Sequence, residues 1–288
     1  MTQNPKTLGD VIKSGSEYLA GKSIENPKLL LEMLAARLLN CKRLELPLKY
    51  DEVLSEPHLE AMRRGLKRLA DNEPVQYIIG ATEFMDHTIK TDKRALIPRP
   101  ETETLVQTIL DTSSLWENSK PAIADIGTGS GCITIALALA KPNGIYLGLD
   151  ISADAIALAK ENAELHNLSD NCAFGLGELS DVVDPESLDA IVANLPYIST
   201  SDCERLSPTV KDYEPMSALD GGPNGLSIID PVIQDASFAL KPGGHIFLEI
   251  GETQADAVSA MLQETGYTDI NVIKDLNNRD RIVTATLE

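Results

Sequence analysis

With 288 residues, 43% of them hydrophobic, the chain holds enough material for one large or two ordinary domains with proper cores. A formal charge of −19 argues against a surface built to replace the counterions of nucleic-acid phosphates. No apolar run is long enough to span a bilayer and "MTQNPKTLGD" lacks the layout of a signal peptide, so a cytoplasmic protein without membrane contact is expected.

The charge is uneven. Residues 1–72 carry 12 Lys+Arg against 10 Asp+Glu, and the remainder carries 13 against 34, so the two parts differ in kind. Cys41, Cys132, Cys172 and Cys203 form no CxxC pair and the histidines do not cluster near them, which predicts free thiols and no structural zinc.

In chain order, the first segment reads as helices. "NPKLLLEMLAARLLN" opens on Asn26 as N-cap and Pro27 at the first helical position, with Leu30, Met33, Leu34 and Leu38 on one face. "PHLEAMRRGLKRLA" repeats the pattern: Leu59, Met62, Leu66 and Leu69 form the apolar stripe, and Arg63, Arg64, Lys67 and Arg68 a basic face that either is merely solvated or steers an acidic partner. Residues 1–74 are therefore expected to be a small helical domain that docks the substrate. "VQYIIGATEFMDHTIKT" shifts to strand-like composition with Gly80 as a break, predicting a β-hairpin linker over 75–99.

From residue 121 onward strand and helix alternate, through "PAIADIG", "CITIALALAK", "GIYLGLD", "ADAIALAKENAELHN", "DAIVAN", "IIDPVIQDASFAL", "HIFLEIG" and "QADAVSAMLQETG". Alternation of this kind gives an α/β domain with a mostly parallel sheet and helices on both faces. The last two strand-like pieces have no helix between them and should pair as an antiparallel hairpin around Asn277 and Asn278.

"DIGTGSG" places Gly127, Thr128, Gly129, Ser130 and Gly131 between a strand and a helix, where glycines permit positive φ and close approach of a ligand. The next strand ends on Asp150, well placed to accept hydrogen bonds from two ribose hydroxyls. The spacing lacks the third helical glycine of a dinucleotide site, so a nucleoside without pyrophosphate fits better than NAD and S-adenosyl-L-methionine is the cofactor expected. Glu178 and Leu179, after the third strand, stand where an adenine ring would be edged and covered; a plain surface turn explains them as well.

The apolar run Ala190–Ala193 then stops at Asn194, Leu195, Pro196 and Tyr197. An amide, a rigid turn and an aromatic ring at a strand's carboxyl end suit either ordinary loop chemistry or a clamp for a flat nitrogen-bearing group. In "IPRPETE", Pro100 followed by Glu101 and Glu103 is how a helix commonly begins.

"EPVQYIIGATEF", "LIPRPETE", "DIGTGSGCI", "YEPMSALDGGPNGL", "LKPGGHIFLEIG" and "RDRIV" occur in an order that resembles the HemK/PrmC family, the glutamine methyltransferases of peptide chain release factors. The resemblance implies a class I (Rossmann-like) S-adenosylmethionine-dependent methyltransferase domain over 100–288, with a seven-stranded sheet, preceded by a small helical domain. It implies a release-factor glutamine as substrate, a catalytic role for Asn194, Pro196 and Tyr197, substrate binding by Asn194, Leu195, Pro196 and Tyr197, and a share for Asn194 in binding the cofactor. The Asn194 side-chain oxygen and the Leu195 backbone carbonyl would accept the two amide N–H bonds, and Tyr197 would pack on the amide plane. It also brings Arg99 and Glu101 near the cofactor pocket.

The family has Asn-Pro-Pro-Tyr where this chain has Leu195, so the clamp is expected to be looser, with Leu195→Pro tolerated or stabilising if the local φ suits proline. Asn-Leu-Pro-Tyr also resembles the ribosomal RNA adenine dimethyltransferases, and a methyltransferase fold that binds a translation factor without modifying it is the third reading. A monomer with no direct nucleic-acid contact is expected.

Overall fold

The computed structural model describes residues 6–168 and 171–288, which form two units. The first comprises the chain up to Ala81 together with Ser207–Tyr213; the second runs from Thr82 to Leu206 and from Glu214 to the end. The helical unit thus extends past residue 74 and takes in a short stretch from far along the sequence, where the Tyr213 hydroxyl donates to the Asp71 carbonyl at 2.7 Å.

In the first unit, α1 (Leu8–Ala20) starts at a reciprocal Thr7–Asp10 capping box, followed by α2 (Pro27–Leu38) and α3 (Glu56–Ala70). Leu8, Leu19, Leu31, Leu34, Met62 and Leu69 are buried together. Two details differ from the sequence reading. Asn26 precedes α2 in a left-handed conformation, φ 50°, and its side chain makes no cap; the start is fixed by Pro27. The buried face of α2 is centred on Leu31, Leu34 and Ala35, with Leu30, Met33 and Leu38 at its edge.

The expected 75–99 hairpin is shorter. Val75–Ile79 is a helical turn, α4, that buries Val75 and Tyr77 and ends where Gly80 takes φ 77°. Burial of that face overrides the β-propensity of "VQYII". The hairpin itself is β1 (Ala81–Phe84) and β2 (His87–Lys90), turned through Met85 and Asp86, both at positive φ.

The second unit continues with α5 (Pro100–Asp111), β3 (Ala122–Ile126), α6 (Cys132–Ala140), β4 (Ile145–Asp150), α7 (Ala153–Leu165), β5 (Cys172–Leu176), α8 (Leu179–Val182) and β6 (Leu188–Ala193). The helix Ile229–Ala239, β7 (Leu240–Glu249), the helix Ala255–Glu264, β8 (Tyr267–Lys274) and β9 (Asp280–Leu287) complete it. The sheet order is β5-β4-β3-β6-β7-β9-β8, with β9 antiparallel to both neighbours and the rest parallel, as the sequence pattern predicts.

β6 lies at the centre and is buried on both faces. Ala190 and Val192 join the core that contains Leu105, Val106 and Ile109 of α5, while Ile191, Ala193 and Leu195 join the core beneath Ile229 and Ile233. Strand alternation therefore assigns position 194 to the α5 side and position 195 to the opposite side. β7 alternates in the same way, with Phe247 on the α5 side and Ile246, Leu248 and Ile250 on the other. The β6–β7 pairing ends at Ala193 with Leu248, so Asn194 and Glu249, the residues that follow, are neighbours on the α5 side.

Candidate active site

A cavity of about 430 Å³ opens at the carboxyl ends of β3, β4 and β6, in the size range of small-molecule sites. It lies at the switch point of the sheet, where β4 departs from β3 on one side and β6 on the other. Gly127, Thr128, Gly129 and Ser130 line it, as do Asp150, Glu178, Leu179, Asn194, Leu195 and Pro196. Gly131 and Tyr197 are not among its lining residues. Gly131 is a packing glycine: a Cβ there would stand 3.1 Å from both Ala159 and the Phe174 ring, at φ 80°.

The glycine turn and Asp150 hold each other. The Gly129 N–H donates to one Asp150 oxygen and the Ser152 N–H to the other, both at 2.9 Å, which fixes the carboxylate plane and leaves lone pairs toward the cavity. Asn162, fully buried on α7, donates to the Ser130 carbonyl at 2.9 Å and exchanges two hydrogen bonds with the Lys90 backbone, tying the turn to the hairpin. Nothing in its helical pattern marks Asn162 out.

Asn194 is held by residues outside the tetrapeptide. Its Nδ2 donates to Thr102 Oγ1 at 3.0 Å, and the Thr102 hydroxyl donates to Glu249 Oε2 at 2.7 Å. The Tyr197 hydroxyl donates to the other Glu249 oxygen at 3.3 Å. Burial pushes the Glu249 carboxyl above its usual range, opposed by the Thr102 hydrogen bond and the charge of Arg281. Tyr197 therefore contributes its hydroxyl to this network, and its phenol is raised by burial and by the charge of Glu249.

Behind the tetrapeptide, Gln254 donates to the carbonyls of Tyr197 (2.9 Å) and Gly225 (3.2 Å) and accepts from Gly251 N–H (2.8 Å). The glycines of "DGGPNG" are demanded by this contact. A Cβ on Gly225 would come within 2.2 Å of the Tyr197 carbonyl, and one on Gly221 within 2.5 Å of the Pro196 carbonyl. Leu195 is only 6% exposed and its Cδ2 would lie 3.0 Å from a Cβ on Gly127, so it fills space between the glycine turn and the core.

"IPRPETE" forms another wall. Glu214 accepts from the Arg99 guanidinium at 2.5 Å and from the Ile97 N–H at 3.1 Å, joining this segment to "EPMSA" at the cavity rim. Arg94 pairs with Asp92 and with Glu161 of α7 at the segment's start. Pro100 opens α5, Thr102 reaches Asn194, and Glu103 accepts from the Met85 N–H at 2.7 Å in the hairpin turn. Helix start and site assembly are thus done by one segment.

Comparison with known proteins decides what this arrangement belongs to. Residues 10–80 match the model of the PrmC N-terminal domain and residues 117–282 that of a methyltransferase domain. The release factor glutamine methyltransferase of Geobacter sulfurreducens is 38% identical over 285 residues, covering 98% of both chains. The chain belongs to the release factor glutamine methyltransferase family. The enzyme of the same name from Lactococcus lactis is 40% identical over 237 residues, 81% of this chain and 84% of its own. A crystal structure of a Pyrococcus furiosus methyltransferase, 17% identical, superposes with a TM-score of 0.50 over 69% of this chain and 87% of its own, which supports the fold.

Membership in a methyltransferase family makes S-adenosylmethionine the cofactor, and the residues present fit it. Gly127 and Gly129, at φ 71° and 57°, expose bare backbone where a side chain would be strained. Beneath them, buried Asp125 accepts from Thr128 and Thr134 through Oδ2, both at 2.7 Å, while Oδ1 has no partner among the described residues. Burial raises the Asp125 carboxyl to about 6, against the pull of those two hydroxyls. Asp150 keeps free acceptor lone pairs at the same cavity, in keeping with a sugar's hydroxyl donors.

Two expectations follow for this family member. Leu195→Pro removes most of a buried side chain that packs between the glycine turn and the core, so it should cost roughly 1 to 3 kcal/mol in thermal or denaturant unfolding. This reverses the gain expected from stiffness alone, and an unchanged or raised stability would contradict it. Asp125 has a folded pKa of about 6 above its usual 3.8, so its contribution to stability is fully present below pH 3.8 and is lost as pH rises through about 6. Relative to Asp125→Asn, the native protein should lose roughly 1 kcal/mol or more between about pH 5 and pH 7.5. Parallel pH profiles for the two proteins would contradict that placement.

Proposed function

We propose that the protein methylates the side-chain amide nitrogen of a glutamine in a peptide chain release factor, with Asn194 and the backbone of Leu195 gripping the target amide. The supporting observation is the Asn194 amide: its Nδ2 is occupied by Thr102, so Oδ1 is the atom available as acceptor. Bound S-adenosylmethionine supplies an electrophilic methyl group on a sulfonium centre. Everything else asked of the protein is positioning.

An amide nitrogen is a poor nucleophile because its lone pair is delocalised into the carbonyl. Asn194 Oδ1 and the Leu195 carbonyl, accepting the two N–H bonds, would fix the nitrogen and favour its pyramidal form. Asp150 would hold the ribose hydroxyls, Gly127 to Ser130 the amino-acid end of the cofactor, and Glu178 and Leu179 the adenine. Tyr197 would serve by locking Glu249, with Pro196 stiffening the turn.

The helical unit would dock the release factor. On α3, Arg63 pairs with Glu56 and Arg68 with Glu73, whereas among the described residues Arg64 and Lys67 have no acidic partner. A protein substrate also suits the acidic second unit better than RNA does. No helix of the described residues is long and apolar enough to cross a membrane. We place the protein in the cytoplasm, where translation factors act, working as a monomer.

Asn194→Ala should lower kcat/KM for a release-factor fragment by roughly 100-fold or more, with the fold and S-adenosylmethionine affinity retained. Asp150→Ala should instead weaken S-adenosylmethionine binding by roughly 1.5 to 3 kcal/mol in calorimetry. Methylation at the native rate by the first variant, or unchanged affinity in the second, would remove that residue from its role.

A further inference from the structure

An asparagine amide turned over exchanges an acceptor for a donor with almost no change of shape, so its neighbours decide which atom faces the cavity. Behind Asn194 the deciding group is Glu249. It is 2% exposed, and both of its oxygens are placed as acceptors of side-chain hydroxyls. Its two oxygens take the hydroxyl hydrogens of Thr102 at 2.7 Å and Tyr197 at 3.3 Å. With its single hydrogen committed to Glu249, Thr102 presents lone pairs to Asn194, which must answer with Nδ2. The Asn194 oxygen is left for the substrate.

We infer that Glu249 is a positioning residue that sets the selectivity of the site for an amide. Acting through Thr102, it holds Asn194 with oxygen toward the substrate, so that a glutamine amide, which brings N–H bonds, is accepted and a glutamate carboxylate of the same outline meets two acceptors and is repelled. This rests on the proposed grip of Asn194 on the target amide. Strand alternation supplies the geometry: Asn194 and Glu249 leave adjacent parallel strands on the side where α5 delivers Thr102. Each link of the network has a defined donor and acceptor.

The test is steady-state methylation of a release-factor fragment, with melting and S-adenosylmethionine affinity recorded for every variant. In Glu249→Met the Thr102 hydroxyl loses its acceptor and donates to Asn194 Oδ1, turning the amide; kcat/KM should fall about 30-fold or more while cofactor affinity stays within about twofold. Adding Thr102→Val, which cannot donate, should recover at least about fivefold of that loss. Glu249→Gln should stay within about fivefold of native, since glutamine can offer its oxygen to Thr102 and its NH₂ to the Tyr197 oxygen, and Thr102→Ser should stay within about threefold. Native kcat/KM in Glu249→Met, or losses that multiply in the double variant, would overturn the inference provided Asn194→Ala is inactive in the same assay. An active Asn194→Ala would instead overturn the grip on which it rests.

Discussion

Burial of β6 on both faces is the constraint from which the site follows. A strand packed on two sides must send successive residues in opposite directions, so when it ends in Asn-Leu the amide and the aliphatic chain cannot serve the same wall. Asn194 turns toward α5 and finds Thr102; Leu195 turns toward the opposite core and fills the space beside Gly127. Parallel pairing with β7 then brings Glu249 to the side of Asn194 without any long-range loop having to deliver it. Thr102 and Glu249, the side chains that brace Asn194, are carried on a helix and a strand, which hold geometry more closely than loops do.

The cofactor side is built differently. There the surface proposed to meet the ligand is backbone, bent through positive-φ glycines and braced by Asp150, Asn162 and the hydroxyls that reach Asp125. The two sides meet at Leu195, whose side chain packs on the glycine turn while its backbone lies in the tetrapeptide. That contact gives the leucine a packing role of its own at this position. Stiffness that a pyrrolidine ring would give is supplied by burial of leucine and by the Gln254 hydrogen bonds to the Tyr197 and Gly225 carbonyls.

Much of this was legible in the sequence, for physical reasons. Strand and helix alternation announced the parallel sheet, the glycines and Asp150 pointed to the strand ends where the cavity opens, and the motifs in order announced the family. What stayed hidden depends on tertiary register. Thr102 and Glu249 look like ordinary helix and strand positions until β6 and β7 are aligned, and Asn162 is one polar residue among several on α7. "VQYII" misleads because Val75 and Tyr77 are buried on one face of a helical turn that Pro74 and Gly80 delimit. Gly131 shares its motif with Gly127 and Gly129, yet it is required by the approach of Ala159 and Phe174, a packing demand that spacing alone does not separate from ligand contact.

The central claim is that a planar amide nitrogen in a protein is the methyl acceptor. Incubation of the purified protein with S-adenosylmethionine and an intact release factor, followed by fragment mass spectrometry, tests it most directly. The account predicts one added methyl on a single glutamine side chain, and none when that glutamine is replaced by glutamate. A methyl on another residue type, or transfer to ribosomal RNA with the release factor left untouched, would contradict it.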